Sequence, residues 1–142
     1  MFQSYLIYGS NPQNLRKKTN GIAKAANVDL KANSPDIFTI SPIKKSITID
    51  QIRNLKSHIA QKPLKSKYKL IIIEYANLAT LEAQNALLKT LEEPPSHAII
   101  ILEAQNYKSL LPTILSRVVK VKAQWAKTKV EIQPLIGIAP LN

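Results

Sequence analysis

Short apolar runs alternate along this chain with longer stretches whose hydrophobic positions recur at helical spacing. Runs rich in Ile, Leu and Val lie at Tyr5 to Tyr8, Ile37 to Ile40, Lys69 to Glu74, Ala98 to Glu103 and Val118 to Val121, and each reads as a strand. The third and fourth are almost unbroken apolar sequence, as expected of strands covered on both faces, which places them centrally in a sheet. Strands separated by helices form βαβ units, so the fold class that follows is α/β with a parallel sheet between helices.

The helices are marked by caps and stripes. Thr48 with Gln51 three residues later forms a capping-box pattern, followed by Ile52, Leu55 and Ile59 on one face. That helix is expected to run to about Gln61, before Pro63. Thr80 can cap another, with Glu82 in its first turn and Leu81, Leu87, Leu88 and Leu91 on a broad apolar face, largely buried, until Pro94 and Pro95 stop it. Leu15, Ile22 and Ala26 suggest a first helix weakened by Gly21, and a short one over Leu110 to Leu115 would carry Pro112 in its first turn, where a missing N–H costs least. After Lys122 the pattern dissolves into WAKTKVEIQPLIGIAPLN, which is either an ordered extension packing Trp125 and Ile132 on the core or a frayed end.

Composition narrows the chemistry. A chain of 142 residues, 45% hydrophobic and 20% charged, suits one domain with one core. Its apolar runs fall far short of the roughly 20 residues that cross a bilayer, and the start MFQSYLIYGS is too short and uncharged for a secretory signal, so a cytoplasmic protein with no membrane contact is expected. There is no cysteine, which removes disulfides, thiolate metal sites and cysteine nucleophiles, and His58 and His97 are too scattered to suggest a metal centre. Twenty Lys and Arg against nine Asp and Glu give a formal charge of +11. That balance favours an acidic partner such as nucleic acid, although a solvated lysine surface produces the same composition.

Two strings are more specific: NALLKTLEEPP at Asn85 to Pro95 and LLPTILSR at Leu110 to Arg117. With YLIYG at Tyr5 to Gly9, SITIDQIRNL at Ser46 to Leu55 and YKLIIIEYA at Tyr68 to Ala76, in that order, the chain resembles the AAA+ clamp-loader subunits of bacterial DNA polymerase III, the delta-prime type above all. The resemblance covers about Tyr5 to Lys122 and implies an AAA+ type, P-loop NTPase-like fold with a five-stranded parallel sheet. It divides the chain into a core over 1–122 and a C-terminal extension over 123–142, a possible remnant of the family's helical lid. Those 20 residues are too few for the helical collar that holds the family's subunits together. The cysteine-ligated zinc insertion of many relatives is absent too.

The family's site positions depart selectively from its pattern. A phosphate loop needs G-x-x-x-x-G-K-[ST], since glycines let backbone N–H groups wrap phosphates, lysine neutralises them and the hydroxyl holds magnesium. Here the string is GSNPQNLR: Gly9 is kept, but Asn14, Leu15 and Arg16 replace the second glycine, the lysine and the hydroxyl, and Pro12 removes a donor. Arg16, Lys17 and Lys18 could attract a phosphate by charge alone. The Walker B pair of carboxylates, for magnesium and for activating water, is Glu74 and Tyr75; Glu74 is at best a weak metal ligand, and a phenol with an ordinary pKa of about 10 is no base near neutral pH. Gln105 and Asn106, where the family senses the terminal phosphate, also suit an ordinary loop.

The family's S-R-C motif stands as Ser116-Arg117-Val118, and the resemblance implies that Arg117 reaches a neighbouring subunit's ATP as an arginine finger; a surface arginine at a helix end is the alternative. It also implies contact with DNA phosphates, for which Lys44, Lys45 and Arg53 are the candidates; Lys62, Lys65, Lys67 and Lys69 form a denser basic run that reads first as a solvated loop. The expected function is thus a subunit that hydrolyses no ATP and binds no cofactor of its own. It would assist a gamma/tau-like subunit, which carries the ATP and magnesium, in loading the sliding clamp on primed DNA, as part of a hetero-oligomer. A stand-alone basic nucleic-acid-binding domain and a truncated, non-assembling fragment are the other readings.

Overall fold

The computed structural model describes residues 3–28, 30 and 34–123. Its strands are β1 (Ser4–Tyr8), β2 (Ile37–Ile40), β3 (Lys69–Ile73), β4 (Ala98–Ala104) and β5 (Val119–Lys122), all parallel in the order β2-β3-β4-β1-β5. Every expected strand is present with its ends shifted by at most one residue. The two apolar runs placed centrally are internal strands, buried along their whole length.

Side chains alternate across each strand, and the sheet buries both faces. Tyr5, Ile7, Leu70, Ile72, Ile99 and Ile101 pack against α1 (Pro12–Ala25). Leu6, Ile71, Ile73, Ile100 and Leu102 face the other way, onto α2 (Ile49–Ala60), α3 (Leu81–Glu92) and α4 (Pro112–Leu115). Gly21 does not interrupt α1, which continues for 14 residues. Ile22 and Ala23 beside it are fully buried. Burying one isoleucine is worth about 1.5–3 kcal/mol against a glycine penalty of about 1 kcal/mol, so packing outweighs propensity.

Gln51 accepts from the Thr48 N–H at 3.0 Å, as the capping-box pattern requires. The far end of α2 is finished from outside: Lys69 Nζ donates to the carbonyls of His58 at 2.7 Å and Gln61 at 3.3 Å, and His97 Nε2 meets that of Ile59 at 2.8 Å. Lys69 is therefore not a solvated loop lysine; it is 4% exposed and caps a helix. Lys62, Lys65 and Lys67 in the same run are exposed.

Thr80 Oγ1 caps α3 by accepting from Ala83 N at 3.1 Å. The buried face of that helix is narrower than its leucines suggest. It runs through Ala83, Gln84, Leu87, Thr90 and Leu91, whereas Leu81 is 60% exposed. Pro112 is in the first turn of α4. Trp125, Ile132 and the rest of the expected extension beyond Ala123 lie outside the described residues.

Candidate functional site

In an open parallel sheet the crevice at the carboxyl ends of the strands is where ligands bind. Here that place is a pocket of about 230 Å³ bordered by Pro12, Leu15, Arg16, Glu74, Tyr75 and Glu103. β1 ends at Tyr8 and α1 begins at Pro12, so Gly9, Ser10 and Asn11 are the whole connection, too short to wrap a phosphate. The donors that a helix N-terminus would offer an anion are also used. Pro12 has none, Gln13 N donates to Asn11 Oδ1 at 2.9 Å, and Asn14 N donates to Asn11 O at 3.0 Å. Gly9 serves packing: a Cβ there would stand 2.7 Å from the Ala123 carbonyl oxygen, at the point where β1 and β5 close together.

Arg16, in the position of the magnesium-binding hydroxyl, points back into the pocket and pairs with Glu74 at the end of β3. The same Nη2 lies 3.4 Å from Glu103 of β4. Glu103 also accepts from the Thr19 hydroxyl, and Glu74 from that of Ser41. Burial pushes the Glu103 carboxyl above its ordinary value; Thr19 and Arg16 pull it down, Glu74 raises it, and the net direction is up. Glu74, weighed above as a weak metal ligand, is thus engaged by an arginine and a hydroxyl. Among the described residues no group of three or more His, Cys, Asp or Glu is placed to hold a metal ion. Tyr75, in the left-handed region at φ 52°, is partly exposed and opens a 3-10 turn over Ala76–Leu78. Of the other cations considered for phosphate, Lys18 is 7% exposed, and both Lys17 and Lys18 interact within the fold.

Ser116 and Arg117 lie at the end of α4, away from this network. Arg117 Nη1 donates to Thr113 O at 2.8 Å and Ser116 Oγ at 3.2 Å, and Nη2 pairs with Glu92 Oε1 at 2.9 Å. The segment leading into α4 is fixed by Gln84, a 4% exposed side chain on α3. Its Oε1 accepts from Leu111 N at 2.8 Å and its Nε2 donates to Ser109 O at 3.2 Å. Asn106 accepts from Lys108 N at 3.1 Å, the Asx turn of an ordinary loop, and Gln105 N donates to Asn77 Oδ1 at 3.3 Å.

Lys44 and Lys45 are exposed on a tight turn closed by Ile43 N donating to Ser46 O at 3.0 Å, with Lys44 at φ 62°. This turn and the first half of α2 border one open groove, and Arg53 projects from the same helix, paired with Asp50 at 3.2 Å. Sequence reading missed Glu103, Thr19, Glu92 and Gln84. Glu103 carried a signal, as the one carboxylate in the apolar run AIIILEA, and Gln84 another, as a polar residue on the buried stripe of α3.

A family model described as DNA polymerase III, delta subunit, matches residues 9–126. The DNA polymerase III subunit delta' of Haemophilus influenzae is 35% identical over 120 residues, covering 76% of this chain and 37% of that protein. The gamma/tau subunit of Mycobacterium tuberculosis is 39% identical over 92 residues, covering 63% of this chain and 16% of the other. The crystal structure of a DNA polymerase III gamma subunit-related protein from Thermotoga maritima superposes with a TM-score of 0.79 at 33% identity, over 89% of this chain and 42% of that one. The chain spans about a quarter to two fifths of the length of the delta-prime relatives it matches.

Proposed function

As this chain belongs to the DNA polymerase III delta-subunit family, with relatives of the delta-prime type, we propose that it serves a clamp loader without hydrolysing ATP itself and lends Arg117 to the ATP site of a gamma/tau-like neighbour. The assembly would load a sliding clamp on primed DNA. The observation that carries this reading is Arg16, whose guanidinium ties Glu74 to the start of α1 across the place where phosphates and magnesium would sit. A magnesium–ATP complex there would have to displace that pair and would find no lysine, no second carboxylate beyond β3 and no unused N–H groups at α1. The residues present do not fit a nucleotide, so no catalytic step is assigned to this pocket.

Arg117 is different in kind. It lies on the surface at the end of a short helix, where a neighbour's nucleotide can approach it. A guanidinium so placed stabilises the charge that develops on a transferred phosphoryl group, and it does so whether or not its own subunit binds nucleotide. Lys44, Lys45 and Arg53, on the turn and helix bordering one groove, supply the contact to DNA phosphates. The test is reconstitution with the ATP-binding subunit, the clamp and primed DNA. Arg117→Ala is expected to lower DNA-stimulated hydrolysis on the order of 10³-fold, and an unchanged rate would sink the reading.

A further inference from the structure

We propose that Glu92 is a positioning residue for Arg117, holding its guanidinium turned outward toward the neighbouring subunit's nucleotide; this rests on the reading of Arg117 as a finger acting in trans. Two of the three contacts on that guanidinium, Thr113 O at 2.8 Å and Ser116 Oγ at 3.2 Å, come from α4 and the residue after it, so they move with Arg117 itself. Glu92, at 2.9 Å, is the contact from a different element. It closes the last turn of α3, whose other half is fastened to the approach to α4 through Gln84. The guanidinium is thereby referred to the frame of the domain.

An arginine carries five N–H donors. Nη1 donates to Thr113 and Ser116, and Nη2 is ion-paired with Glu92 at 2.9 Å. Nε–H and Nη2 donate no hydrogen bond among the described residues, which leaves donors for a two-pronged contact with a phosphoryl group. An untethered arginine spreads over many rotamers, and only a fraction of them aims at the reacting group, so a tether raises the rate through orientation. The tether is a light one. Arg117 and Glu92 side chains are 34% and 46% exposed, so solvent screens the carboxylate and leaves the guanidinium most of its field at a phosphate. The neighbouring Glu93, directly before Pro94, has no ion pair or hydrogen bond with Arg117 among the described residues and supplies a control of equal charge.

The experiment measures kcat and KM for ATP in the reconstituted complex on primed DNA. Glu92→Ala is expected to lower kcat about three- to tenfold with KM within about twofold. Glu92→Gln, which keeps the shape but not the charge of the ion pair, should recover little of the loss, while Glu93→Ala should leave both constants in place. A Glu92→Ala complex with undiminished kcat overturns the proposal, as does a loss matched by weaker assembly or a lower unfolding temperature. If Arg117→Ala itself has no effect, the finger reading falls; if Arg117→Ala is severe and Glu92→Ala silent, only the role of Glu92 falls.

Discussion

Arg16 and Arg117 have nearly the same exposure, 36% and 34% of the side chain, and each meets a glutamate, yet their surroundings differ. Arg16 sits between two carboxylates, Glu74 just past β3 and Glu103 in β4, the latter only 7% exposed. Arg117 leans on its own helix and on one half-exposed carboxylate at the rim. Removing Arg16 strands a buried charge, whereas removing Arg117 strands nothing. Accessibility alone does not separate an arginine locked between carboxylates from one held at the rim. The number and burial of its anionic partners does.

The strongest way to break this comparison is to truncate both residues in the same complex. Arg117→Ala should reduce the neighbour's ATP hydrolysis on the order of 10³-fold while leaving this chain's unfolding temperature unchanged. Arg16→Ala should do the opposite: hydrolysis within about twofold, stability lower by roughly 1–3 kcal/mol as Glu103 loses its compensating cation, with the partial exposure of Arg16 keeping the loss below that of a fully buried pair. Chemical denaturation and steady-state ATPase assays read both arms. A variant at position 16 that abolished hydrolysis without loss of stability would erase the distinction.

This pairing shows where sequence reading stops. β3 and β4 were legible because each is a nearly unbroken apolar run buried along its whole length, and α2 and α3 because Thr48 and Thr80 mark their starts. The loss of the phosphate loop was legible residue by residue at Asn14, Leu15 and Arg16. What replaced it was not. Arg16 finds Glu74 and Glu103 at separations of 58 and 87 residues, and Lys69 caps a helix that precedes it; no local pattern encodes either. Asp36 is similar: fully buried, it gathers the backbone N–H groups of Leu64, Lys65 and Ser66 at 2.6, 2.8 and 2.6 Å, so the basic loop is folded around an acid 28 to 30 residues upstream.

A smaller effect separates the exposed cations from the consumed ones. Replacing Lys44, Lys45 and Arg53 with alanine should weaken DNA binding about 10- to 30-fold near physiological salt, and each lost phosphate contact should flatten the slope of log affinity against log salt by about 0.9. Arg16→Ala should leave that slope where it was, since Arg16 is already neutralised by carboxylates. Binding isotherms at several ionic strengths distinguish these cases, and equal slopes for all variants would remove Lys44, Lys45 and Arg53 from the interface.

The smallest effect concerns the two buried carboxylates, Glu103 beside Arg16 and Asp36 beneath the basic loop, whose titrations run in opposite senses. Glu103 is raised, so the native state holds that proton more tightly than the unfolded chain; its contribution is complete at low pH and is lost as pH climbs through the raised value. Burial also pushes Asp36 up, but the N–H groups of Leu64, Ser66 and Lys65 and the Ser66 hydroxyl hold it below its ordinary value, so its contribution is present at neutral pH and is lost as pH falls. Relative to the wild type, Glu103→Gln should therefore gain unfolding temperature as pH rises from about 4 to 7, and Asp36→Asn should lose it over that range. If instead Glu103→Gln fell steadily behind with rising pH, Arg16 would be stabilising the ionised Glu103 more than burial opposes it. The pocket would then be an ion pair the fold gains from, rather than a desolvated acid that Arg16 and Thr19 only partly offset.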